Sequence, residues 1–497
     1  MCLPGNDKAD NSYGYNKPEV FPGIILRQIT KGNMDYVILP ELILSKMNRY
    51  TLIFLMFFMI FPGMELFSQE IWSLQKCVDY AMENNIQIKQ QQLSVNYQEN
   101  QAAQARYDRL PNFNGQMGNN YNYGRSLTYQ NTYENTNSIS ISGGLGSEVT
   151  LWNGFTLTNA IRQKELDLQA GLQDLQKAKD DIVLTVAALY LEILFAEELS
   201  AIDESQMEIT RQQISRTRQL VEAGRLARGA LLEIEAQLAA EELQLVNGQN
   251  RTQLAYLNLF QLLELPIGRS FRIEKPVFPG ISAGAVQYNS VDIFRNAMMT
   301  RPEILASQLR VESARRQLDQ AMGARLPRIT AGANYYNNFN DNYTRSVEGN
   351  PLEREVIPFS EQLKNNQRYG FGFTMNIPLF NRMQIRTGIS NAQLQIMDYE
   401  YRLQNTRNAL QKDIEQAYTN ALAALKRYVS SEKAVSSSEE AFRYTEEKFN
   451  VGMVTTVEYN QMKNNLTAAQ SQLLQAKYEY IFRTKILDFY NGVPISL

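Results

Sequence analysis

The chain has 497 residues, with 49 Lys and Arg against 52 Asp and Glu, no histidine at all, and cysteine only as Cys2 and Cys77. That excludes imidazole bases, Ser-His-Asp triads, imidazole-held metals and Cys-rich zinc sites. A formal charge of -3 offers no global basic field for nucleic acid, and no Ser/Gly-rich or Pro-rich linker divides the length into separate globular domains.

In chain order, residues 1–46 have no recurring apolar period and read as a start-site artefact, with Met47 as the expected initiator. Lys46 to Arg49 then precede the apolar run Thr51–Phe61, which Pro62-Gly63 closes before the small residue Ser68; residues 47–68 have the layout of a signal peptide. Its 11 apolar residues fall short of the ~20 that a bilayer-spanning helix needs. Leu74-Gln75-Lys76 before Cys77 lack the small residues of a lipoprotein signal, so Cys77 is expected as a buried apolar side chain on a helix. No later apolar run reaches 18 residues, so any bilayer crossing in the mature chain must use strands.

The remainder is a duplicated unit. Shifted by 216, Ala81-Met82 falls on Ala297-Met298 and Arg109-Leu110-Pro111 on Arg325-Leu326-Pro327; shifted by 228, Leu151-Trp152-Asn153 falls on Leu379-Phe380-Asn381, Tyr190 on Tyr418 and Gly224 on Gly452. The difference is a 12-residue insertion between Pro327 and Leu379. The units span 70–285 and 286–497, the first ending in the Pro-containing connector 264–289.

Each unit predicts a helix (72–109, 290–325), a strand pair (112–152, 328–380), a long helix (155–223, 382–451), a glycine turn and a return helix (230–263, 458–489). Period-two alternation marks the strands: Ile139, Ile141, Leu145 and Val149 alternate with Ser140, Ser142 and Glu148, and Tyr369, Phe371, Phe373 and Met375 with Gly370, Gly372 and Thr374. The long helices lack proline, and Leu175, Ile182, Val186, Ile193 and Ala196 keep heptad register with Leu403, Leu410, Ile414, Ala421 and Ala424. A dimeric coiled coil fits that pattern too, but helices of about 100 Å at ~1.5 Å per residue exceed a globular domain. Segment 72–109 added to 458–489, and 290–325 added to 230–263, both give 70 residues, so these pairs are expected to stack end to end as rods matching the long helices.

Strands of this length suffice to cross an outer membrane, where about 9–11 tilted residues are needed. Four strands cannot close a barrel, and lipid does not tolerate open edges. A dimer would give eight strands and a trimer 12, and the wider bore of twelve helices favours the trimer. A soluble antiparallel sheet packed on helices is the plainer alternative.

Trp72-Ser73-Leu74-Gln75 with Tyr80-Ala81 and Asn84-Asn85, the Arg-Leu-Pro before each strand pair, Leu151-Trp152-Asn153-Gly154 and Leu379-Phe380-Asn381 at the long helices, and Phe449-Asn450-Val451-Gly452 at the far turn resemble the TolC-like outer-membrane efflux proteins over roughly residues 70–497. The resemblance implies an α+β membrane protein: a homotrimeric 12-stranded transmembrane β-barrel, four strands per protomer, continued by a long α-helical periplasmic barrel. It implies docking onto a periplasmic adaptor (membrane fusion) protein and an inner-membrane transporter, in the outer membrane of a Gram-negative bacterium. Such a chain is a passive duct for efflux or type I secretion in contact with outer-membrane lipid, with no enzymatic activity, cofactor, metal or nucleic acid.

Loops 124–137 and 340–367 are then expected outside the cell, where the insertion is harmless. The adaptor-docking tip comprises Gly224, Arg225, Leu226, Val451, Gly452, Met453 and Val454; helix C-capping alone also accounts for the glycines. Glu458 matches the family's acidic position at the narrowest point of the pore, although Gln461 replaces the second acid; a carboxylate complementing the helix N-terminus is the plainer reading. Glu197-Glu198, Glu241-Glu242 and Glu446-Glu447 read as solvated helix charges. The rival from another class is a non-conducting periplasmic coiled-coil scaffold or adaptor.

Overall fold

The computed structural model describes residues 70–127, 131–135, 137–266, 271–276 and 289–495. The expected start-site segment and signal peptide lie outside these residues. In chain order the elements are β1 Glu70–Trp72, α1 Leu74–Asn84, α2 Ile86–Tyr107, β2 Asn114–Asn122, β3 Arg125–Leu127, β4 Tyr133–Asn135, β5 Ser138–Trp152, α3 Thr156–Glu222, α4 Arg228–Leu262, β6 Phe271–Ile273, α5 Ser290–Thr300, α6 Pro302–Gly323, β7 Arg328–Asn340, β8 Thr344–Val347, β9 Asn350–Val356, α7 Phe359–Asn365, β10 Arg368–Asn376, α8 Gln384–Asn450 and α9 Thr456–Tyr490. Among the described residues, no helix is long and apolar enough to cross a membrane.

The long helices α3 and α8 are each 67 residues, close to the expected spans. The heptad positions Leu175, Ile182, Val186, Ile193 and Ala196 of α3 and Leu410, Ile414, Ala421 and Ala424 of α8 are buried, and Leu403 is half-buried. Each predicted first helix is broken in two. At Asn85 (ψ 128) the chain leaves helical geometry, and its side chain accepts from Gln87 N and Ile88 N to start α2. The second break, at Arg301 (ψ 127), precedes Pro302, whose ring drives the preceding residue out of the α region.

The rods pair differently from the expectation. Near the sheet the packing order is α2, α3, α6, α8; toward the glycine turns it is α4, α3, α9, α8. The composite rods are therefore α2 with α4 and α6 with α9, each within one half of the chain. Length sums alone could not discriminate, because all four short segments are nearly equal. The contacts at the breaks decide: Asn85 Nδ2 donates to Leu262 O at 2.9 Å, Asn296 Nδ2 donates to Asn491 Oδ1 at 3.0 Å, and the Arg301 guanidinium lies 4.1 Å from the Phe489 ring centre.

A core gathers where the rods meet. Trp72, Cys77, Ala81, Tyr190, Leu259, Leu263, Phe271 and Ile273 are buried there, and β1 pairs in parallel with β6 of the connector. Trp72 stacks on Phe271 with ring centres 4.5 Å apart, and Tyr190 Oη donates to Glu274 O at 2.7 Å. Cys77 is fully buried as expected, and burial pushes its thiol up to about 12, which keeps it unreactive at neutral pH.

The sheet is antiparallel in the order β10-β7-β5-β2. Its register aligns the alternation of every strand: Phe373 faces Ala331, which faces Val149, and Tyr369 faces Tyr335, which faces Leu145, itself opposite Gly115. One face is thus apolar and aromatic, and the other carries Thr374, Thr330, Thr150, Asn334, Gly146, Asn114 and Gln116. A bulge at Leu151 resets the parity so that Trp152 joins Ile329 on the apolar side. Beyond the bulge, Gly154 and Gly323 bring the two halves into backbone contact; a Cβ on Gly154 would meet Gly323 O at 2.5 Å.

Segment 340–367 is more than a loop. It forms the hairpin β8–β9 and the helix α7, which lies along the free edge of β7. Gln362 there acts as a substitute strand: its Oε1 accepts from Asn340 N at 2.9 Å while its Nε2 donates to Asn340 O at 2.9 Å. Strand β10 also stops at Asn376, short of the expected alternation to Leu379, because Pro378 lacks the N–H a ladder needs.

Candidate functional site

Two parts of the molecule can act on other molecules: the amphipathic sheet and the turns at the far end of the long helices. Alternation and register in the sheet produce a polar groove of about 550 Å³ lined by Asn114, Gln116, Glu148, Thr330, Asn334 and Tyr336. The opposite face leaves Met117, Tyr369, Phe371, Phe373 and Met375 exposed. Among the described residues both outer strands keep an unpaired edge, since β10 bonds only to β7 and β2 only to β5.

At the far end both turns are built alike. Gly224 (φ +69) and Gly452 (φ +79) adopt the left-handed conformation that ends a helix, and the next residue's N–H closes it: Arg225 N donates to Leu220 O at 2.8 Å and Met453 N to Lys448 O at 2.9 Å. Val451 and Met453 are exposed, the latter by 77%, and Arg225 is exposed. Val454, expected to be exposed, is half-buried, as is Leu226. The exposed apolar residues at this turn are therefore Val451 and Met453, with Val457 beside them on the first turn of α9. Glu458 is exposed in the first turn of α9, where the Thr455 hydroxyl caps the helix by accepting from Glu458 N at 3.2 Å. This Thr-x-x-Glu arrangement gives Glu458 a local role at the helix start.

Above the tip lies a cluster the sequence reading missed. Lys463 of α9 is 3% exposed; its Nζ donates to Glu241 Oε1 of α4 at 3.0 Å, to Gln206 O of α3 at 2.9 Å, and to the Thr210 hydroxyl, which itself donates to Glu241 Oε2. Burial pulls the Lys463 ammonium down from the usual lysine range, and Glu241 opposes that shift. Nearby, Asp203 Oδ2 and Gln206 Oε1 are buried without a hydrogen-bond partner among the described residues, and burial raises the Asp203 carboxyl. The readable signal was a lysine at helical spacing between Tyr459 and Leu466, both buried.

The expectation of solvated carboxylates is accordingly corrected at Glu241, Glu197 and Glu198, while Glu242 is exposed as expected. Glu241 is largely enclosed with Lys463, and Glu197 and Glu198 accept from Tyr256 Oη and Tyr478 Oη, each at 2.8 Å. Helix packing brought partners from other segments against them; Glu446 and Glu447 are exposed as expected. Closer to the turns, Arg216 Nη1 donates to Asn450 Oδ1 at 2.7 Å, tying the ends of α3 and α8, and Tyr459 packs 4.7 Å from Phe449.

Comparison with known proteins places this architecture. The family model described as outer membrane efflux protein matches residues 77–264 and 294–488. The chain is 21% identical over 395 residues to outer membrane protein TolC of Salmonella enteritidis, covering 74% of this chain and 73% of that protein. It is 20% identical over 402 residues to the outer membrane efflux protein BepC of Brucella suis biovar 1, covering 81% of each. Among solved structures, the outer membrane protein VceC of Vibrio cholerae superposes with a TM-score of 0.69 at 16% identity, over 85% of this chain and 97% of that one.

Proposed function

The chain belongs to the outer membrane efflux protein family, and from that premise we propose that it works as a homotrimer whose three sheets close a 12-stranded barrel and whose rods form the duct beneath it. Its function is that of the outer-membrane channel component of a tripartite efflux or type I secretion system in a Gram-negative bacterium. A family of such systems implies a periplasmic adaptor and an inner-membrane transporter as partners. The duct is passive, and the transporter supplies the energy.

One observation carries the closure by further copies: a four-stranded sheet with one apolar face and two open edges, joined directly to a layer of rods whose outer flanks are also apolar; the wider bore of twelve helices favours three copies over two. Lipid would cover the apolar face, and only further copies supply the missing strands. On the flanks, Leu394 and Tyr401 of α8 and Leu93, Tyr97, Leu243 and Val246 of α2 and α4 are exposed in one protomer, as surfaces that neighbouring copies would cover. Residues 70–285 and 286–497 act as tandem copies of one unit, supported by matching helix lengths of 11, 22, 67 and 35 residues in each half. Segments 124–137 and 340–367 face the exterior, the Gly224 and Gly452 turns dock the adaptor, and Glu458 forms a ring of three at the periplasmic mouth.

Recovery in outer-membrane fractions, heat-modifiable gel mobility and conductance in planar bilayers together test the channel. A periplasmic scaffold would show none of them, and that outcome would overturn the proposal. Docking is tested by Met453→Asp with Val451→Asp: export should be lost while trimers still assemble, and undiminished export would remove the tip from the adaptor contact.

A further inference from the structure

The edges of the sheet carry more than the need for closure. Resting on the trimeric reading above, we infer that β10 of one protomer pairs with β2 of the next in a single register, Asn376 opposite Asn114 through Arg368 opposite Asn122. Both edge strands are nine residues long. Three successive antiparallel pairings across the sheet leave them antiparallel to each other when copies are placed side by side.

Face parity removes half of the conceivable registers. On β10 the apolar face holds Tyr369, Phe371, Phe373 and Met375; on β2 that same face holds Gly115, Met117, Asn119 and Tyr121. A slip by one residue would turn one strand's apolar row toward the polar groove.

Full overlap ranks the registers that parity allows. In this one all nine residues of β10 meet all nine of β2, whereas a slip by two either way leaves two residues of each strand beyond the partner's end. At one end Asn366, on the β7 side, caps α7 by donating to Gln362 O at 2.8 Å, and its Nδ2 donates to Asn338 O at 2.7 Å. Helix α7 thus acts as a stop, occupying the β7 edge beyond Tyr336 where β10 would otherwise continue.

In the remaining register Phe373 lies beside Met117, Tyr369 beside Tyr121, and Met375 over Gly115, while the groove side pairs Thr374 with Gln116 and Gly372 with Gly118. No like charges meet. The geometry also closes. A perpendicular path from Asn114 through Gly146 and Asn334 reaches Gly370, which then faces residue 120 of the next copy, a six-residue offset per protomer. Three copies give a shear of about 18 residues across 12 strands, and with ~3.3 Å rise and ~4.8 Å spacing the strands tilt about 45°, the usual value for outer-membrane barrels.

Cysteine pairs test the register in the full chain carrying Cys2→Ala and Cys77→Ala. Phe373→Cys with Met117→Cys places two thiols on directly opposite residues, within disulfide reach, whereas diagonal neighbours two residues away are about 7–8 Å apart. Oxidation of outer membranes should convert this variant to a covalent trimer on non-reducing denaturing gels, while Phe371→Cys or Met375→Cys combined with Met117→Cys should stay largely monomeric. A covalent trimer from either slipped pair in preference to the first overturns the register. Light scattering of the detergent-solubilised protein separates the two levels: a trimeric mass without cross-linking of the first pair overturns the register alone, and a mass other than a trimer overturns the trimeric reading with it.

Discussion

Two regions of the helical layer, the junction of α2 with α4 and the level of Lys463, are held together by different means. Where α2 and α4 join, Trp72, Leu259, Leu263, Phe271 and Ile273 make an apolar core, with Asn85 donating to Leu262 O and Tyr190 to Glu274 O. Nearer the turns, α9 is fastened to α3 and α4 by the buried Lys463–Glu241 pair, with Asp203 and Gln206 left incompletely satisfied. Burial of apolar surface carries no pH dependence, whereas a buried charge is stable only with its partner in place. The difference teaches that neighbouring helices of one layer can be joined by apolar burial at one level and by a buried charge pair at another.

The largest effect tests the level held by charge. Lys463→Met leaves Glu241 buried without its cation and should cost about 3–5 kcal/mol, while Lys463→Met with Glu241→Gln should recover most of that loss. Urea unfolding of the purified protein reads both; equal stability of the single variant and the parent would show that charge does not hold this level.

At the apolar level Leu259→Ala should cost about 2–5 kcal/mol by losing transfer energy and leaving a cavity, with the same loss at pH 5 and pH 8. A cost that varied with pH in the same unfolding assay would erase the contrast between the two regions.

A smaller effect concerns Asp203. Burial raises its folded pKa above the ordinary value of 3.8, so the folded state favours the protonated acid. Its stabilisation is fully present below the unfolded pKa and fades as pH rises through the raised folded value. Asp203→Asn should flatten the melting temperature across that window relative to the parent, and an unchanged pH slope would clear Asp203 of the role.

Smallest of all is the expected change at Glu458, which lies beyond both junctions. Glu458→Gln should keep the fold, since Thr455 still caps α9, and reduce the cation preference of the reconstituted channel. Unchanged selectivity in single-channel recordings would leave Glu458 only its place at the helix start.

The sequence by itself determined what depends on local periodicity and local chemistry. Proline-free heptads specify 67-residue helices, two-residue alternation specifies the faces of the strands, and Gly224 and Gly452 supply the left-handed turns because no other residue adopts that conformation at so little cost. The break before Pro302, inside a helix expected to run unbroken over 290–325, has an equally local cause in the ring's restriction of Arg301. What only the tertiary structure decided depends on groups far apart in the chain. The rod partners follow from Asn85 meeting Leu262 and Asn296 meeting Asn491, contacts that nearly equal segment lengths could not rank. Glu241 and Glu198 gained Lys463 and Tyr478 as partners because packing brought those side chains alongside. The edge of β7 was closed by Gln362, whose amide reproduces a strand's donor and acceptor from within a helix, and no local pattern encodes that substitution.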